Sequence, residues 1–129
     1  MIDRKLQALV VDDVAVNLKL LATILRGHGF TVERAESAEA ARPLLATGKF
    51  GLLLLDVMLP GMDGLTFARE LRTEPVHADL IIVAVTANAM KSDRDAALGA
   101  GCDAFVSKPI NTRTLVPLVT SLLARGRTV

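Results

Sequence analysis

A chain of 129 residues, 51% hydrophobic and 22% charged, is one ordinary domain with enough apolar material for a real core. Its formal net charge of +1 excludes the basic excess of a nucleic-acid binder, and four Phe without Trp or Tyr exclude a stacking platform for single strands. No apolar run reaches a membrane span, the first residues lead into no signal-peptide core, and the lone Cys102 rules out an internal disulfide, so we expect a cytoplasmic domain with Cys102 as a small buried hydrophobe.

Strand-like and helix-like patterns alternate five times. Leu6 to Val11 reads as the first strand. From Val14 to Arg26, Leu18, Leu21 and Leu25 share one helical face, widened by Leu20 and Ile24, until Gly27 and Gly29 end it. Thr31 to Ala35 alternates like a half-buried strand, which places it at a sheet edge. Ser37 caps a helix to about Thr47, with Glu36 and Glu39 near its positive end and Pro43 set to kink it or delay its start. Gly51 to Leu55, short and uniformly apolar, reads as a strand buried on both faces. Asp63 can cap a helix from Gly64 to about Thr73, and Leu80 to Val85 is a fourth, buried strand. Ser92 opens a helix that ends at Gly99 or Gly101. Ala104 to Ser107 is the fifth strand, and Asn111 to about Ala124 the last helix, interrupted by Pro117. Five successive βα units require a parallel sheet with right-handed crossovers, hence an α/β, doubly wound, three-layer fold with five helices. No linker or repeat divides the chain, so residues 1–129 form a single domain with its core in about 6–124; only Arg125 to Val129 looks frayed.

Polar residues at the strand ends carry the chemistry. Asp56 follows the third strand and Asp12-Asp13 follow the first. In open α/β sheets ligands gather beyond the carboxyl ends of the strands. Three carboxylates brought together there raise one another's pKa unless a cation lies among them, so the economical reading is a divalent-metal site with one carboxylate left for chemistry. Thr86 ends the fourth strand and Lys108 the fifth. A hydroxyl and an ammonium beside an aspartate are what a phosphoryl group on that aspartate needs. Lys108-Pro109 is a candidate cis peptide.

Four motifs, Val10-Val11-Asp12-Asp13, Leu55-Asp56-Val57-Met58-Leu59-Pro60-Gly61-Met62-Asp63-Gly64, Val85-Thr86-Ala87 and Ser107-Lys108-Pro109-Ile110, stand in that order. Together they resemble the response-regulator receiver domain of two-component signalling, over essentially Leu6 to Leu123. The resemblance implies a flavodoxin-like sheet in the order 2-1-3-4-5. It implies that Asp56 accepts a phosphoryl group from a histidine kinase or histidine phosphotransfer protein, with magnesium or manganese held by Asp13, Asp56 and the Met58 carbonyl, and by Asp12 largely through water. It further implies that Thr86 and Phe105 form a switch pair, that Lys108 contacts the phosphoryl group, and that a downstream partner binds the face of the fourth helix, fifth strand and fifth helix. Val14-Ala15-Val16-Asn17 and Gly99-Ala100-Gly101-Cys102-Asp103 are similar to hybrid-kinase receivers and single-domain regulators. Val14 departs from the polar residue many receivers carry there, and Met58 and Asn88 occupy positions that tune acyl-phosphate lifetime in the family.

Other readings fit less well. A magnesium-dependent phosphatase or dehalogenase-like hydrolase usually carries a second acid two residues past its nucleophile, where this chain has Met58. With no histidine at the strand ends and no Walker or dinucleotide glycine pattern, the phosphoryl donor comes from outside, and the chain is a signalling receiver rather than an enzyme. His28 and His77 fall in apparent loops and read as solvated, Arg125 and Arg127 as a charged helix end. We expect a stand-alone regulator, the alternative being a receiver from a hybrid sensor kinase.

Overall fold

Every residue of the third strand, β3 (Leu52–Asp56), is buried, and so is every residue of the fourth, β4 (Ile81–Thr86). Both occupy the interior of a five-stranded parallel sheet completed by β1 (Gln7–Val11), β2 (Thr31–Ala35) and β5 (Ala104–Ser107), in the order β2-β1-β3-β4-β5. The computed structural model describes residues 4–59, 61–87 and 90–127. Edge strand β2 buries Val32 against one layer and Ala35 against the other and exposes Thr31 and Arg34, so it is half-buried as expected but without the strict in-and-out alternation its sequence suggested.

The period of two sorts the core into halves. Leu53 and Leu55 of β3 face one layer with Phe67, Leu71 and Ala97; Leu52 and Leu54 face the other with Leu18, Leu25, Leu115 and Val119. Helices α2 (Ala38–Leu45), α3 (Gly64–Arg72) and α4 (Lys91–Gly99) therefore cover one face, and α1 (Ala15–Arg26) and α5 (Thr112–Arg125) the other. Burying each Leu contributes about 1.5–3 kcal/mol, so removing either layer would leave the sheet unsupported. Among the described residues, no helix is long and apolar enough to cross a membrane.

Several boundaries differ from expectation. β3 and β4 each start and end one residue later than their apolar runs, because Asp56 pairs with Val85 and Thr86 with Ser107. Gly51 is left outside β3, pressed against the backbone of Arg4. α1 starts at Ala15, since the Asp12 side chain takes the Val14 amide. Ser37 caps α2 through Ala40, as expected, but the helix stops at Leu45. Asp63 stands at the N-cap of α3 without accepting a backbone N–H; its carboxylate instead lies 3.5 Å from the Thr66 hydroxyl. α4 begins at Lys91 rather than Ser92, with no side-chain cap. Asn111 caps α5 through Arg113. Pro43 and Pro117 lie inside α2 and α5 on exposed positions rather than ending them.

The end of the sheet away from the carboxyl ends is tied by Arg72. Its guanidinium donates to the carbonyls of Gly101 (2.8 Å), His77 (2.9 Å) and Leu80 (2.8 Å) and to Oδ2 of Asp103 (2.8 Å). Oδ1 of Asp103 accepts from Arg127 at 2.8 Å. Arg127 is thus an anchored residue and not part of a frayed end. His77 also departs from expectation: it is buried, with Nε2 3.2 Å from Glu74, because its carbonyl is pinned by Arg72. His28 is exposed and Cys102 buried, as expected.

Candidate functional site

β1 and β3 are neighbours in register, Val11 opposite Leu55, so the residues that follow them meet at the carboxyl edge. Asp12 is buried, with Oδ1 accepting from the Val14 amide at 2.9 Å, a turn that ends β1 and starts α1. Asp13, next in the chain, is exposed. Asp56 is buried at the tip of β3, and its Oδ1 accepts from the Met58 amide at 2.9 Å. Asp12, Asp13 and Asp56 each bring a carboxylate oxygen within 4.8 Å of the others.

Lys108 enters from the far side of the sheet. Its amide donates to the Thr86 carbonyl at 2.7 Å, which fixes the β5 exit against the end of β4, and the Lys108–Pro109 peptide is cis. Nζ then lies 3.2 Å from Oδ2 of both Asp56 and Asp12. Toward Asp56 this is a hydrogen bond; toward Asp12 it is an ion pair without hydrogen-bond geometry. Thr86 is buried one residue beyond the Asp56 partner Val85. Phe105 is half-buried opposite Ala84, deeper in the sheet than the carboxylates, and packs on the α2–α4 side of the core.

The electrostatics follow from this packing. Burial, and then the charge of Asp12, raise the Asp56 carboxyl above its ordinary value against the lowering effect of the Met58 N–H and Lys108. Burial pulls Lys108 down, but Asp56 and Asp12 more than offset it and hold its pKa above the ordinary value. Lys108 balances one of three clustered carboxylate charges, and Oδ2 of Asp12, buried, accepts no hydrogen bond among the described residues. A hard divalent cation with oxygen ligands fits both the excess charge and the orphaned oxygen.

Asp12, Asp13, Asp56 and Lys108 are brought together, and Thr86 adjoins them; Phe105 is not in the cluster. Met58 contributes its amide, and the residue is otherwise 72% exposed. Pro60 and Asn88 lie outside the described residues. Sequence reasoning missed Gly64 as part of this site. Its amide donates to the Val57 carbonyl at 3.2 Å and closes the β3–α3 loop. A glycine at a helix entrance is ordinary, so no local signal in the sequence marked it.

Comparison with known proteins agrees with this geometry. The family model described as Response regulator receiver domain matches residues 8–120. The chain is 36% identical over 120 residues to Hybrid signal transduction histidine kinase M of Dictyostelium discoideum, covering 89% of this chain and 5% of that protein. It is 37% identical over 114 residues to Response regulator PleD of Caulobacter vibrioides, covering 88% of this chain and 25% of that one. The chain thus spans a quarter or less of these relatives. Among solved structures, the receiver domain of sensor histidine kinase PA1611 from Pseudomonas aeruginosa PAO1 superposes with a TM-score of 0.84 at 28% identity, covering 92% of this chain and 97% of that one; it holds a magnesium ion in its active-site cleft.

Proposed function

Because this chain belongs to the response-regulator receiver family, we propose that Asp56 is its phosphoacceptor, taking a phosphoryl group from a histidine kinase or histidine phosphotransfer protein. The observation that carries this is the pairing of Asp56, buried at a strand tip, with Lys108 at 3.2 Å.

The carboxylate of Asp56 attacks phosphorus, the P–N bond to the donor histidine breaks, and the electron pair leaves with that nitrogen. The Met58 amide fixes the rotamer of Asp56 throughout. Once Asp56 is an acyl phosphate its own charge is gone, and Lys108 turns to the new phosphoryl oxygens, which carry about −2 charge. Thr86 donates its hydroxyl to the same group. Asp12, Asp13, Asp56 and the Met58 carbonyl would hold magnesium, or manganese, which when bound neutralises phosphoryl charge during transfer. Water later hydrolyses the acyl phosphate, releasing inorganic phosphate and restoring the Asp56 carboxylate, so apart from the phosphodonor the chain acts only on itself.

Movement of Thr86 toward the phosphoryl group vacates space for the half-buried Phe105, which shifts the population between two packings of α4, β5 and α5. Exposed Met90 and Leu98 on that side support it as the downstream partner's face. In this proposal the domain acts alone as a single-domain regulator in the cytoplasm; the likeness to Hybrid signal transduction histidine kinase M supports the second setting, a receiver within a hybrid kinase.

Calorimetric titration with magnesium and beryllofluoride, a phosphoryl stand-in, tests the assignment. Tight binding lost in Asp56→Asn is expected. No binding by the wild-type chain would make it an unphosphorylated interaction module.

A further inference from the structure

We infer that Gly64 is a positioning residue for the phosphoacceptor, holding the backbone of Asp56 in place through a contact that tolerates no side chain. The inference rests on the assignment of Asp56 above. Gly64 is buried at the first turn of α3, where a Cβ would stand 2.4 Å from the Asp56 carbonyl oxygen and 2.7 Å from Val57 Cα. Both are backbone atoms, so no flexible side-chain end can give way. To reach ordinary contact at 3.4 Å the backbone carrying Asp56 must retreat by about 1 Å.

That backbone is already held. The Val57 amide donates to Val85 at 3.0 Å, the Val57 carbonyl accepts from Gly64 at 3.2 Å, and the Met58 amide holds Asp56 Oδ1 at 2.9 Å. α3 cannot back away freely either, since Phe67, Ala68 and Leu71 are fully buried beneath it. The displacement therefore falls on the Asp56–Met58 segment. A misplacement of about 1 Å in a reacting group can cost about 100-fold in rate.

Gly51 supplies a control of the same steric size at the other end of β3, where a Cβ would stand 2.5 Å from the Arg4 carbonyl oxygen. Gly64→Ala and Gly51→Ala are compared in thermal stability, magnesium affinity by calorimetry, hydrogen exchange of the Met58 amide, and initial rate of phosphoryl acceptance from acetyl phosphate per folded molecule. Both variants are expected to lose stability. Gly64→Ala alone is expected to weaken magnesium binding and slow acceptance by tenfold or more and to speed exchange at Met58, with Gly51→Ala within about twofold of wild type, given the sensitivity to placement. Measurements are made in trimethylamine N-oxide, which favours the compact state, if either variant is partly unfolded in buffer. Normal affinity and rate in folded Gly64→Ala, or its failure to fold even there, would overturn the positioning role and leave a packing glycine. A wild-type chain that neither binds magnesium nor accepts a phosphoryl group would instead overturn the assignment of Asp56.

Discussion

Lys108 and Asp56 meet at 3.2 Å although they lie 52 residues apart, and the same ammonium stands 3.2 Å from Asp12. Lys108 is thereby placed as an internal counter-ion for the carboxylates before any phosphoryl group arrives. In the proposed mechanism the positive charge that would contact the phosphoryl group is already present in the resting site.

Lys108→Ala removes this counter-ion and leaves buried carboxylates facing one another. In metal-free buffer it should cost about 1–3 kcal/mol, less than a fully buried pair because Lys108 is partly solvated. Magnesium should bind within a few-fold of wild type and restore much of the loss, while phosphorylation no longer alters partner binding. The chain has no Trp or Tyr, so calorimetry and chemical denaturation followed by circular dichroism are the suitable measurements. Loss of magnesium binding would contradict this division of roles.

Arg72 joins α3 to three backbone carbonyls and to Asp103, which also takes Arg127. Arg72→Ala leaves those carbonyls without this donor, while Asp103 keeps Arg127 and the Ile82 amide, and should cost about 1–3 kcal/mol in urea denaturation, with Arg72→Lys recovering less than half. A loss under 1 kcal/mol would show the network to be a solvated decoration.

His77 gives the stability a pH dependence. Burial first, and then Arg4 and Arg72, lower its pKa below the ordinary 6.5, with Glu74 opposing. The unfolded chain therefore binds the proton more readily than the folded one. The contribution of His77 is whole above pH 6.5 and is lost as pH falls below it, by at most about 1.4 kcal/mol per pH unit. Wild type should lose more stability than His77→Gln between pH 8 and about 5.5. Equal losses would contradict the burial argument.

Cys102 is buried, and burial pushes its thiol up to about 11. At pH 8 iodoacetamide should leave the folded protein unmodified and alkylate it fully in urea, read by intact mass. Rapid alkylation without denaturant would place the thiol at the surface.

Much of the fold was legible because buried parallel strands announce themselves as apolar runs, and Leu52 to Leu55 and Ile81 to Val85 are such runs. Their ends were misplaced by one residue because Asp56 and Thr86 are polar yet still pair in the sheet. The carboxylates and Lys108 were legible because each ends or directly follows an apolar strand run, and parallel order brings strand ends to one edge. Contacts made across the chain left no local trace. Nothing near His77 announces that Arg72 pins its carbonyl, and nothing near Arg127 announces Asp103. Gly64 looked like ordinary helix entry, since its importance lies in the space it leaves against Asp56.

Intact mass after incubation with magnesium and acetyl phosphate, with Asp56→Asn alongside, tests the central claim most directly. Wild type should gain one phosphoryl group, the gain should vanish when magnesium is chelated, and Asp56→Asn should gain none. An adduct on Asp56→Asn at wild-type stoichiometry would contradict the assignment of the phosphoacceptor.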